Sequence, residues 1–173
     1  MKIPPEVLKI ADDIREMRIR GASRIAQAGA LSLKIAAEKF KGRDVNEYME
    51  YIRMVSGHVR ATRPTAVSLP NALSYVISRT EKAYRSGVGL SELVETTIKS
   101  AENFIQYSRT ATKRIGEIGA GRLRDGDTIL THCNSSAALS VIIHAVKQGK
   151  SLNVLATETR PKFQGHITVR LLA

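Results

Sequence analysis

The chain has no tryptophan, one cysteine, five prolines and only three Phe and five Tyr in 173 residues. Each shortage excludes something. A single thiol cannot close an internal disulfide, and four scattered histidines offer no metal-ligand spacing, so the chain reads as cytoplasmic and metal-free. So few aromatic rings leave little material for a platform that stacks unpaired bases. No apolar run approaches the ~20 residues that a membrane-spanning helix needs. Residues 1–5 also lack the basic, apolar and small-residue succession of a secretory signal.

What is present suits a folded protein of one domain or two small ones: 43% of residues are hydrophobic and 25% charged. The net charge is +11, which invites a nucleic-acid reading. Its distribution argues against one. Basic residues outnumber acidic ones 12 to 8 over residues 1–60, 8 to 5 over 61–120 and 7 to 3 over 121–173, so no segment is a basic tail. The surplus reads as a solvated basic surface or as the complement of an acidic partner chain.

Apolar spacing then divides the sequence into elements. Val7, Ile10, Ile14 and Met17 recur in steps of three and four, predicting a helix over 4–18. A second helix begins near Ala22 or Ser23 and runs to Phe40, with Gly42 ending it. Asp44 with Glu47 three residues later signals a helix start, and Tyr48, Ile52, Val55 and Val59 form the stripe that follows. Ala72 to Arg85 is helix-compatible, and Ser91 is the expected cap of the longest helix, with a seam of Val94, Ile98, Ala101, Ile105, Ser108, Thr112 and Ile115. At Gly121 the pattern changes. Thr128–Thr131 and Asn153–Thr157 are short β-branched and apolar runs, each followed by helical spacing, over 135–150 and 164–172. The expected fold class is therefore α/β: an all-helical N-terminal domain, residues 1–120, then the start of a Rossmann-like parallel sheet domain, 121–173, in the order strand, helix, strand, helix. Two strands alone are marginal, so self-association or a companion chain that completes the sheet is expected.

In open α/β sheets ligands gather beyond the carboxyl ends of the strands, where helix N-termini present unpaired amides to anions. Two loops qualify here: Thr131 to Ser136, and Glu158 to Pro161. Cys133 falls at a helix start, a position that favours thiolate, and is open to two readings, a proton acceptor or nucleophile and a small buried hydrophobe. His132, on the other side of an extended segment, reads as packing rather than as its partner. Ser135 and Ser136 are helix-capping residues first, with phosphate binding as an additional role. Arg20, ahead of Gly21, Ala22 and Ser23, and Arg63, ahead of Pro64, each stand at an irregular junction beside a helix start. There a guanidinium suits either a phosphate or bulk solvent, and Arg160 carries the same two readings.

Taken in order, Arg20-Gly21-Ala22, Arg63-Pro64-Thr65-Ala66, Thr131-His132-Cys133-Asn134-Ser135 and Glu158-Thr159-Arg160-Pro161 with Gln164-Gly165 resemble the motifs of sugar-phosphate isomerases related to translation initiation factor 2B subunits, the archaeal ribose-1,5-bisphosphate isomerases above all. The resemblance covers essentially the whole chain. It implies conversion of ribose 1,5-bisphosphate, a phosphorylated pentose, to ribulose 1,5-bisphosphate, with no cofactor. Cys133 would be the proton acceptor, and Arg20, Gly21, Ala22, Ser23, Arg63, Ser135, Ser136 and Ala137 would bind substrate. Family members continue for about as many residues again and draw an aspartate proton donor and further substrate ligands from that part. The chain is accordingly expected to be an N-terminal portion that is inactive alone. A non-catalytic regulatory subunit on the same architecture is the alternative, and the intact Cys-containing motif favours the enzyme lineage.

Overall fold

In the computed structural model, which describes residues 2–173, the order among the described residues is α1 (Pro5–Arg15), α2 (Ala22–Glu38), α3 (Val45–Arg60), α4 (Ser68–Arg85), α5 (Leu90–Ala120), β1 (Thr128–His132), α6 (Ser136–Lys147), β2 (Asn153–Thr157) and α7 (Gln164–Leu172). This is the expected helical domain followed by a partial Rossmann-like sheet. The chain divides into two compact units within α5, the first ending at Ser108 and the second spanning Arg109–Ala173. The change of sequence pattern at Gly121 lies just past the end of that helix.

The first unit is an up-and-down bundle, and its side-chain contacts fix the helix directions. Lys39, past the end of α2, pairs with Glu6 at the start of α1, and Tyr84 near the end of α4 donates to Asn46 at the start of α3. Lys34–Glu102 and Ser23–Ser108 set α2 against α5, while Thr80–Thr97 and the Tyr75–Phe104 ring pair set α4 against α5. The α1–α2 and α3–α4 connections therefore lie at one end of the bundle, the end that α5 reaches near Ser108. Between the helices, Val7, Ile14, Leu33, Ile52, Val55, Val59, Leu69 and Val76 are completely buried. Burying each such side chain contributes about 1.5–3 kcal/mol. One polar cluster lies inside this core: the Tyr48 hydroxyl donates to Thr97 Oγ1 at 2.8 Å, the Thr80 and Thr97 hydroxyl oxygens lie 3.0 Å apart, and each threonine hydroxyl can donate to a carbonyl of its own helix, Val76 and Leu93 respectively. Burial pushes the Tyr48 phenol well above its ordinary range, so it stays neutral and acts as a donor.

Several expected boundaries shift. α1 stops at Arg15 rather than 18, because Met17 adopts φ +57° and Arg18 turns back to bond Asp13 at 2.5 Å. α2 ends at Glu38, two residues before Phe40. α4 starts at Ser68 and not at Ala72; Pro70 sits in its first turn, where a missing N–H forfeits no helical bond. The Asp44 cap of α3 forms as expected, accepting from Glu47 N–H at 2.8 Å. Ser91, by contrast, lies inside the first turn of α5, because the Gly89 carbonyl already accepts from Leu93 N–H. The α5 seam also moves. Its fully buried positions include Leu93, Thr97 and Ala101, with Val94, Ile98 and Ile105 half-buried beside them, and Ile115 is exposed. The stripe through Val94 and Ile98 passes over Thr97, whose hydroxyl is satisfied internally.

In the second unit, β1 and β2 pair in parallel with Thr128 opposite Asn153 and His132 opposite Thr157. The intervening α6 makes the connection a β-α-β crossover. The α6 helix packs on the end of α5 at Gly116 and Gly119, where an added Cβ would come within 2.8 Å of the Ser140 carbonyl and 2.5 Å of Val141 Cγ2. The strands bury one face only partly and leave Leu130 and Leu155, neighbours in the register, 70% and 58% exposed on the other. Among the described residues no helix is long and apolar enough to cross a membrane.

Candidate active site

The parallel register brings the segments after β1 and β2 to the same edge of the sheet, and they interlock there. Cys133 directly follows β1 and takes φ +61°, a left-handed conformation uncommon for a residue with a Cβ. Both of its backbone polar groups are held from the second strand and its helix: Cys133 N–H donates to the Thr157 carbonyl at 3.2 Å, and the Cys133 carbonyl accepts from Thr168 Oγ1 at 2.7 Å. Thr168, almost completely buried in α7, also accepts from Asn134 Nδ2 at 3.1 Å. The thiol is half-buried, and its Sγ accepts from Thr159 Oγ1 at 3.6 Å. His132 points elsewhere, its Nδ1 2.6 Å from Thr157 Oγ1.

The next two positions build the helix start. Ser135 is the N-cap of α6, its Oγ accepting from Ala138 N–H at 3.3 Å, and Ser136 and Ala137 are the first two residues of the helix. The amides of such a first turn are free of intrahelical partners and carry the positive end of the helix dipole, so the turn suits an anion. After β2, Glu158 performs the equivalent capping for α7 over a longer reach. Its carboxylate accepts from the N–H groups of Thr159, Gly165 and His166. Partial burial works to raise its pKa, but these donors outweigh that and hold the carboxyl below the usual range. Gly165 makes the approach possible: a Cβ there would sit 2.8 Å from the Thr157 carbonyl and 3.1 Å from Glu158 Cα.

In the first unit, Arg20 precedes Gly21, the N-cap of α2 with φ +85°, and Ala22 opens that helix. Arg63 lies in the α3–α4 connection, where its carbonyl accepts from Ala66 N–H. Both arginines are half-buried, and by the helix directions both loops are at the same end of the bundle. Ser23 turns inward, its hydroxyl shared with Ser108 at 3.0 Å and accepting from Gln27 Nε2. A cleft of about 500 Å³ lined by Lys2, Lys39, Phe40 and Tyr51 is at the opposite end of the bundle and holds none of the site candidates. Among the described residues no group of three His, Cys, Asp or Glu side chains is disposed to hold a metal ion.

Thr168 was not singled out by sequence reasoning, and Glu158 and Thr159 were noted only as parts of a loop and a motif, without the duties they have here. The signal for Thr168 was available, since a threonine three residues after Gly165 falls on the buried stripe of α7.

The sequence pattern of the initiation factor 2 subunit family matches residues 18–173. The chain belongs to that family. It is 49% identical over its whole length to ribose 1,5-bisphosphate isomerase of Thermococcus kodakarensis, covering 54% of that protein. Over 97% of its length it is 51% identical to ribose 1,5-bisphosphate isomerase of Pyrococcus furiosus, covering 52% of it. A crystal structure of the translation initiation factor eIF-2B subunit delta from A. fulgidus is 34% identical and superimposes with a TM-score of 0.72 over 92% of this chain and 48% of that one. The chain thus spans about half the length of the curated relatives it matches, and one family backbone carries proteins with an isomerase name and proteins with an initiation-factor name.

Proposed function

We propose that this chain provides the proton-accepting part of a sugar-phosphate isomerase that converts ribose 1,5-bisphosphate to ribulose 1,5-bisphosphate. The observation that carries the reading is the backbone of Cys133, held left-handed by bonds to Thr157 and Thr168 so that a half-buried thiol stands at the carboxyl edge of two parallel strands. Loop building alone does not call for a thiol there. The identity with isomerases of that name supports the same choice of substrate.

An aldose-to-ketose shift removes a proton from one carbon and delivers one to its neighbour, so it needs an acceptor and a donor. In this reading the Cys133 thiolate accepts. Two phosphates demand cations and amides: Arg20 with Gly21, Ala22 and Ser23 at the α2 start, Arg63, and Ser135, Ser136 and Ala137 at the α6 start supply them. The inward hydrogen bonds of Ser23 suggest that it contributes backbone rather than hydroxyl. The reading assigns no proton donor within these residues and no cofactor, so the chain by itself binds bisphosphate without turning it over. The exposed Leu130 and Leu155 face calls for a covering partner, a second copy or a companion chain.

Protection of the thiol tests this. Ribulose 1,5-bisphosphate at millimolar concentration should slow alkylation of Cys133 by iodoacetamide several-fold, free ribose should not, and Arg63→Ala should weaken the protection. Turnover of ribose 1,5-bisphosphate by the chain alone, abolished by Cys133→Ser, would refute the absence of a donor. The second reading, a non-catalytic subunit, is favoured by the 34% identity to an initiation-factor subunit. Retention of initiation factor 2 together with no bisphosphate protection would replace the isomerase with it.

A further inference from the structure

The segment after β2 reaches Cys133 at three points, and the third differs in kind from the other two. Thr157 and Thr168 hold the backbone of Cys133, as any loop would need. Thr159 meets the sulfur itself, its hydroxyl 3.6 Å from Sγ. Thr159 is in turn fixed at both ends of its own backbone, its N–H by the Glu158 carboxylate and its carbonyl by Phe163 N–H at 2.8 Å. Its branched Cβ restricts rotation about χ1. A hydroxyl has one proton to donate, and here a pinned donor faces a pinned acceptor, so little ordering entropy remains to oppose the bond.

We propose that Thr159 is the positioning residue for the Cys133 thiolate: its hydroxyl donates to Sγ, favours the charged form and aims the sulfur lone pair into the loop mouth. This rests on the reading of Cys133 as proton acceptor and deepens it, since a hydrogen bond to the ionised form of a group raises the fraction ionised at a given pH. The charged and titratable neighbours on these segments are His132, Glu158, Arg160, Lys162 and His166. Of these, His132 is engaged with Thr157, and Glu158 with the α7 amides and His166. The hydroxyl is the polar side-chain group that the structure bonds to Sγ.

The test is the rate of Cys133 alkylation by iodoacetamide at neutral pH on the purified chain without sugar. Thr159→Val keeps the shape and removes the donor, and its rate should fall several-fold below wild type. Thr159→Ser keeps the donor and should restore the rate to near the wild-type value. A Thr159→Val rate equal to wild type, or a Thr159→Ser rate that follows Thr159→Val, overturns the proposal. Should Thr159→Val fail to fold, Thr159→Ala compared with Thr159→Ser decides on the same criterion. Because no substrate enters this measurement, its outcome is separate from bisphosphate protection: a slowed rate without protection would leave Thr159 in its role and remove the isomerase reading.

Discussion

Replacing Thr97 by valine keeps volume and branching while deleting one hydroxyl, and the structure shows what that hydroxyl holds. It accepts from the Tyr48 phenol, pairs with Thr80 Oγ1 and donates to the Leu93 carbonyl. Thr80 keeps its bond to the Val76 carbonyl. Tyr48, completely buried, loses its acceptor. A buried donor left without a partner costs about 1–3 kcal/mol, so Thr97→Val should destabilise the bundle by about 2 kcal/mol. Tyr48→Phe alone removes a donor whose acceptor retains other partners, and should cost about 1 kcal/mol. In the double variant the orphan is gone, so its cost should fall short of the sum of the single variants by about 1 kcal/mol or more. Urea unfolding followed by tyrosine fluorescence isolates the effect, because all five tyrosines (Tyr48, Tyr51, Tyr75, Tyr84 and Tyr107) belong to the first unit and tryptophan is absent. Strict additivity of the two substitutions would refute the shared buried network.

Gly165→Ala places a Cβ against backbone atoms that cannot yield without parting α7 from β2; overpacking of about 1–3 kcal/mol should exceed the ~1 kcal/mol that alanine gains in helix propensity. Amide exchange at His166 and Val169 should quicken, and undiminished protection would contradict the contact. For Glu158 the folded carboxyl lies below its ordinary value, so its contribution is complete above the unfolded pKa of about 4.3 and is lost as pH falls through the lower folded value. Exchange at the Gly165 and His166 amides should rise over that acid interval in wild type and be raised already at neutral pH in Glu158→Gln. Equal acid profiles for the two proteins would show that the carboxylate is not the cap.

How far the sequence showed this arrangement depends on what kind of residue carried each part. The bundle core was legible because Tyr48, Ile52, Val55 and Val59 recur at helical spacing and are all completely buried. The strand and helix alternation after Gly121 was legible from β-branched runs, and the Ser135 cap from its place before an apolar helix. Three parts were hidden. The start of the α5 stripe was drawn one residue too late, through Val94 and Ile98 where Leu93 and Thr97 are the buried pair. The start of α4 at Ser68 was placed at Ala72 because Pro70 precedes it, although a first helical turn tolerates proline. The Thr159, Thr168 and Glu158 contacts span 7 to 35 residues of sequence or end on backbone atoms, and no local periodicity reports such pairings.

Within the candidate site, the residues separate by what a substitution would leave behind. Ser135, Glu158, Gly165 and Thr168 bond or approach backbone, so a protein of any activity that uses these two loops needs equivalents of them. Cys133 is different. Its N–H and carbonyl make the structural bonds, and Cys133→Ser would preserve both, so the sulfur contributes nothing to the loop that an oxygen would not. The same holds for the Thr159 hydroxyl, which among the described residues bonds that sulfur. A fold shared by proteins of different function cannot itself specify chemistry. On the proposed reading the chemistry is concentrated in one donor–acceptor pair, Thr159 Oγ1 and Cys133 Sγ, mounted on loops whose backbone bonds do not depend on it. A relative with the loops but without this pair should therefore fold alike and show no thiolate-dependent activity, which makes the pair the discriminating feature between the isomerase and subunit readings.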